Sequence, residues 1–360
     1  MFESFGFESL TAPQAAVWFA AILGLTFGFL AARTRFCFRR GLVGGDRRQA
    51  LGVWLTALAV SVIGTQGAVA AGLISFDDHR FMAADLPAIA IVIGGLLFGA
   101  GMVLTRGCIS RLTVLTAGGN LRALTVVIVF AVTAHAALKG VLAPLRTALG
   151  SVTLPLGEAV SLAALPGGAL LWAAVLAAGA LVVGLRSGNR TGSLIMAALI
   201  GALVPLGWVG TGFLLYDDFD PIAMESLSFT LPHAETLFWT VASTSIPAGF
   251  GTGLIGGTLA GALVSALAFR EFTWESFETP AQTGRYLLGG LFMGLGGVLA
   301  GGCTLGAGLS GVPTLSVAAI LAILSIAAGG LIAGRLVDGV TPFSRGSAGS
   351  SAGRPAQQAA

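Results

Sequence analysis

Of this chain's 360 residues, 55% are hydrophobic and only 10% are charged, and the mean hydropathy is +0.91. So little polar surface cannot cover a water-soluble globule of that size, which excludes a soluble enzyme or binding domain and leaves an integral membrane protein. The net charge of +3 comes from arginines gathered in a few loops, a pattern that sets membrane topology and gives no sign of a nucleic-acid partner.

Taken in order, the apolar runs long enough to cross about 30 Å of hydrocarbon as helices are 15–32, 50–72, 86–104, 121–142, 166–185, 191–215, 247–269, 285–300 and 313–335. The expected fold is therefore all-α, with about nine transmembrane helices. Glu3 and Glu8 stand where a signal peptide would be basic, so the first run is expected to be a retained span. The tail 341–360, rich in Gly, Ser, Ala, Pro and Gln, is expected to be disordered.

Basic residues alternate from loop to loop. Arg33, Arg35, Arg39, Arg40, Arg47 and Arg48 follow the first span, Arg106, Arg111 and Arg122 the third, Arg186 and Arg190 the fifth, and the C-terminal side carries Arg335, Arg345 and Arg354. The intervening loops carry Asp77, Asp78 and Asp85, or Asp217, Asp218, Asp220 and Glu225. The positive-inside rule then places the N-terminus outside and the C-terminus in the cytoplasm. The seventh loop fits least well, because Arg270 is accompanied by Glu271, Glu275 and Glu278.

One stretch is written twice. The fifteen residues from Gly94 to Cys108 and those from Gly289 to Cys303 are identical at nine positions, and both end on Gly-Cys. The offset between them carries spans two, three and four onto seven, eight and nine, and span one roughly onto six. Span five is left as a connector. The expected organisation is a first repeat of four spans over 1–143, a one-span connector over 144–190 and a second four-span repeat over 191–340. An odd connector inverts the second repeat, an arrangement that builds one midplane site from two related halves. Cys108 and Cys303 are the natural halves of such a site.

After Cys303 the residues Thr304 to Pro313 are too short and glycine-rich for a span, yet uncharged. They suggest a short re-entrant helix whose free N–H groups could face an anion, with an ordinary extracellular turn as the alternative. Gly95 with Gly99 and Gly290 with Gly294 indicate close helix packing, and Thr65 with Gln66 and Thr133 with His135 indicate interhelical hydrogen bonds. The run Ser243-Thr244-Ser245-Ile246-Pro247 suggests a broken helix whose hydroxyls could serve a substrate. Three cysteines without CxxC spacing and three scattered histidines point to no disulfide, metal or cofactor. There is no ATP-binding motif.

Several short motifs stand out together: Arg35-Phe36-Cys37-Phe38, Gly44-Gly45-Asp46, Gly99-Ala100-Gly101-Met102, Gly107-Cys108, Gly118-Gly119-Asn120, Ser228-Phe229-Thr230 and Gly301-Gly302-Cys303-Thr304-Leu305-Gly306. In these the chain resembles the YeeE/YedE family of bacterial membrane proteins, whose best understood members take up thiosulfate. The resemblance implies about nine spans in inverted repeats, re-entrant helices, and essential cysteines at Cys108 and Cys303 with Cys37 as a third. The first half departs from the family's Gly-Cys-x-x-Gly, since Arg111 stands where the second half has Gly306.

A small sulfur dianion needs positive potential inside the bilayer, and helix N-termini supply it without a buried lysine, which would cost about 2.5–3.5 kcal/mol or more. Thiols are weak S–H donors and weak acceptors, suited to handing on a terminal sulfur. The candidate path is thus Cys303 on the outer half, Cys108 on the inner half and Cys37 near the cytoplasmic exit. Gly107, Gly302, Thr304 and Gly306 border it, and Arg111, otherwise a topology charge, attends its inner mouth. The implied partners are a small sulfur-containing anion, membrane lipid and a cytoplasmic sulfur-carrier protein. A membrane sulfurtransferase forming a cysteine persulfide is the alternative, but no histidine or lysine adjoins Cys108 or Cys303 in sequence to lower a thiol pKa. A structural or signalling module that imports nothing is the third.

Overall fold

The computed structural model describes residues 11–217 and 219–338, so Glu3, Glu8 and the tail 341–360 lie outside the described residues. Helices α1 (Ala12–Thr34), α2 (Phe38–Val43), α3 (Arg47–Ala70), α4 (Ala88–Leu104), α5 (Ile109–Ala117) and α6 (Leu121–Lys139) form the first half. Helices α7 (Ala143–Gly150) and α8 (Gly168–Leu185) connect it to α9 (Thr191–Val209), α10 (Thr230–Ala242), α11 (Phe250–Ala268), α12 (Pro280–Leu299) and α13 (Val317–Asp338). Among the described residues nine helical segments are long and apolar enough to cross a membrane. They coincide with the nine runs expected from hydropathy, and the chain is a multi-pass membrane protein.

Local chemistry sets where these helices start. Asn120 Oδ1 accepts from the backbone N–H of Ala123 at 2.9 Å to open α6, and Thr279 Oγ1 accepts from Gln282 at 3.2 Å to open α12, where Pro280 takes the first turn. The chain breaks again between α10 and α11, where Ser243, Thr244 and Ser245 are exposed to the outside of the helix bundle.

The packing is reciprocal. α1 lies on α11 as α9 lies on α3, and α4 lies on α13 as α12 lies on α6. At the centre α4 crosses α12 with glycines facing glycines. A Cβ on Gly94 would stand 2.7 Å from the carbonyl oxygen of Gly296, and one on Gly296 would stand 2.6 Å from that of Gly94. Gly101 and Gly289 meet in the same way, at 2.6 and 2.9 Å. No side chain fits there, so backbone meets backbone. Gly95 and Gly99 serve the α4–α13 contact and Gly294 the α12–α6 contact, so the GxxxG spacing is a packing device, as expected.

The seventh loop explains its own acidity. Glu271 pairs with Arg33 at 3.0 Å, and Glu275 pairs with Arg122 and accepts from Asn120 Nδ2 at 2.6 Å. Backbone bonds from Thr273 to Gly118 and from Leu121 to Glu275 fasten the same loop. Its carboxylates neutralise arginines of the first and third loops, so all three loops share one face.

Candidate functional site

Each cysteine occupies the same backbone device. Arg35, Arg106 and Gly301 have left-handed φ of 51°, 59° and 73° and end the preceding helical run. Two residues on, Cys37, Cys108 and Cys303 are extended and form the N-caps of α2, α5 and the short π-helical segment Thr304–Gly311. A left-handed residue turns the chain sharply and an extended residue opens the next helix, so each thiol sits beside unpaired backbone N–H groups. The sequence repeat displayed two copies of this device, and the structure has three. Cys37 lies outside the two repeated stretches, so the repeat did not show it and only the resemblance pointed to it.

The three thiols are free and buried. Cys37 Sγ and Cys108 Sγ are 4.0 Å apart, and Ser110 Oγ lies 3.3 Å from the latter. Cys37 is therefore a direct neighbour of Cys108. Arg111, half-buried, lies close enough for its charge to act on both sulfurs. Cys303 Sγ instead accepts from the backbone N–H of Gly306 at 3.4 Å. Among the described residues no hydrogen bond joins it to the other pair.

All eight residues of Thr304–Gly311 are buried, so this is packed helical structure and not an exposed turn. α3 holds it, with Ser61 Oγ donating to Leu309 O at 2.8 Å and Gln66 Nε2 to Pro313 O at 2.7 Å. Gln66 thus makes the bond between elements that its position suggested. Thr133 bonds Val129 of its own helix and His135 stacks on Phe238, so that second pair does not. Gly302 is hemmed in by backbone and Gly306 by a side chain. A Cβ on Gly302 would stand 2.8 Å from the amide nitrogen of Ala307, and one on Gly306 2.7 Å from Ser228 Oγ. Gly107 is looser, with Leu112 at 3.3 Å.

A cavity of about 630 Å³ opens on the face bearing the acidic loops, and Gly306 and Ser310 form part of its wall. Arg80, His79 and Glu225 also line it. Arg80 is exposed to this space and close enough for its charge to act on Glu225, Cys303 and Glu235. Burial, then the Glu235 carboxylate, pushes the Glu225 carboxyl up to about 7, against the pull of Arg80. Burial and the Arg80 charge bring His79 down to about 4, so the imidazole is neutral. The hydroxyls of Ser228 and Thr304 are buried without a hydrogen-bond partner, an arrangement that is costly unless something else supplies one. Sequence reasoning missed Arg80, which hides in a loop notable for its acids, and Ser228, which lies within a stretch quoted only for resemblance.

The cavity thus shares Gly306 and Ser310 with the segment that Cys303 opens, and Cys37 and Cys108 form a separate buried pair. The family described as sulphur transport matches residues 33–332. The chain belongs to this family. The chain is similar to the thiosulfate transporter TsuA of Escherichia coli, 29% identical over 318 residues that cover 80% of this chain and 85% of that one. It is also similar to the thiosulfate transporter TsuA of Spirochaeta thermophila, 26% identical over 339 residues, 85% of this chain and 94% of the relative.

Proposed function

We propose that this protein takes up thiosulfate, or a closely related small sulfur-containing anion, across the bacterial inner membrane, with its N-terminus outside and its C-terminus in the cytoplasm. Three buried thiols set at helix N-termini, one opening a segment that walls the vestibule and two paired with each other, are the observation that carries the reading. Helix N-termini stabilise the oxyanion end through N–H groups and partial positive charge. The thiols offer S–H to the terminal sulfur and little to a hard anion such as sulfate. Weak contacts suit transit, because a tightly held ion does not leave.

In this reading the anion enters past Arg80, meets Cys303 with Thr304 and Gly306, and is released beyond Cys108 and Cys37 beside Arg111, where a sulfur-carrier protein can receive it. The reciprocal glycine contact of α4 with α12 supports two inverted repeats over 1–143 and 191–340 joined by the connector 144–190, since a two-fold exchange brings Gly94 onto Gly289 and Gly101 onto Gly296. Related halves of opposite sense give the two thiol sites opposite openings. The decisive experiment is uptake of labelled thiosulfate into proteoliposomes, with sulfite, sulfate and sulfide as competitors. No accumulation, or equal competition by sulfate, would overturn the proposal.

A further inference from the structure

α3 presents one face to the segment behind Cys303. Ser61 and Gln66 hold that segment's carbonyls, and two turns before Ser61 on the same face stands Trp54, 3% exposed. The Trp54 ring packs on Phe38, the residue that follows Cys37, with centroids 4.7 Å apart. Its Cζ2 lies 3.1 Å from the place a Cβ on Gly308 would occupy, so glycine there lets the indole lie against the segment that Cys303 caps. The ring therefore touches both the element of the outer thiol and the element of the inner pair.

The Trp54 Nε1–H is buried and has no hydrogen-bond partner, and on the same face the Thr65 hydroxyl is buried and unpartnered too. A buried donor left unmade is costly, and such groups persist where something transient satisfies them. An indole N–H only donates, which suits the oxygen of an anion and neither a cation nor another donor.

We propose that Trp54 closes the passage between Cys303 and the Cys37–Cys108 pair, and that its indole N–H is the donor an anion takes as it crosses from one to the other. This rests on the uptake reading. The closed ring keeps water and hydrated sulfate out, and the anion's own hydrogen bond to Nε1 stabilises the displaced ring during passage. Phe38 and Gly308 are the surfaces it rests on between turnovers.

The test compares thiosulfate uptake into proteoliposomes by the wild type, Trp54→Phe and Trp54→His, each verified as folded by gel filtration and thermal melting. Phe keeps the apolar ring and loses the donor, whereas His packs less well and keeps a ring N–H. The expected result is a fall of at least tenfold for Trp54→Phe and partial recovery for Trp54→His. A purely structural role gives the reverse order. Wild-type uptake with Trp54→Phe within twofold of it, or with Trp54→His below Trp54→Phe, overturns the role of Trp54 alone. A wild type that accumulates nothing overturns the uptake reading together with this one.

Discussion

Cys37 and Cys108 lie 71 residues apart in sequence and 4.0 Å apart between sulfurs. Two short helices, α2 and α5, thus bring their N-terminal ends to one spot, and the thiols of their N-cap residues form a single two-sulfur site. Such a pair should cross-link. A small thiol oxidant such as diamide is expected to join Cys37 to Cys108 and stop uptake, and a reductant should restore it. Peptide mapping by mass spectrometry checks the assignment. A linkage that contains Cys303, or full cross-linking with undiminished uptake, would contradict it.

At Cys303 the prediction concerns space. A methyl group on Gly306 would stand 2.7 Å from Ser228 Oγ, closer than real Cβ contacts come. Gly306→Ala is therefore expected to lower uptake at least tenfold by closing the wall beside the thiol. Adding Ser228→Ala removes the clashing oxygen and should recover part of the loss, a coupling typical of residues in contact. Uptake assays on the two single variants and the double variant measure it, and strictly additive losses would refute the steric account.

Much of this was legible in the sequence. Runs of apolar residues gave all nine spans because lipid imposes a length that soluble folds lack. The doubled Gly-Cys stretch singled out Cys108 and Cys303, and the GxxxG spacing anticipated close packing. What could not be read is conformational or long-range. Nothing in Arg35 or Arg106 announces a left-handed residue, so the shared thiol device was not legible, and Cys37 lies outside the repeated stretches that singled out the other two. The Cys37–Cys108 contact joins segments 71 residues apart, a long-range pairing that no local pattern states. Arg80 gains its meaning only from a cavity assembled by the loops after α3 and α9. Thr133 and His135 had the composition of an interhelical pair, but the hydroxyl found a carbonyl in its own helix instead.

The vestibule should make uptake pH-dependent. The Glu225 carboxyl is raised to about 7 by burial and by Glu235, with Arg80 opposing. Below that pH it is neutral and Arg80 faces an incoming anion with less competition. Above it the carboxylate forms, attracts the guanidinium and repels the anion. Uptake is expected to fall as the outside pH rises through about 7, and Glu225→Gln should flatten that fall. The sign for stability agrees. An acid whose folded pKa lies above its unfolded one is destabilising once pH exceeds the unfolded value near 4.5, and increasingly so up to about 7, so Glu225→Gln should melt higher than the wild type at pH 8 and alike at pH 4. Uptake profiles and melting curves at matched ionic strength test both.

The crossing of α4 with α12 makes a prediction about symmetry. Gly94 and Gly289 occupy matching places in the two copies of the repeat, and each lies against a glycine carbonyl of the opposite helix, at 2.7 Å and 2.9 Å from an added Cβ. Gly94→Ala and Gly289→Ala must each push the helices apart, for an overpacking cost of about 1–3 kcal/mol. If the halves are related as proposed, the two substitutions should lower the melting temperature by similar amounts. The double variant Gly94→Ala with Gly296→Ala should lose less than the sum of its singles, because one separation accommodates both methyl groups. Gly67→Ala is the control. It lies in α3 with nothing within 4 Å of the added carbon, so the higher helix propensity of alanine should leave stability equal or slightly greater. Unequal costs for Gly94 and Gly289, or strict additivity in the double variant, would count against a two-fold relation at this crossing.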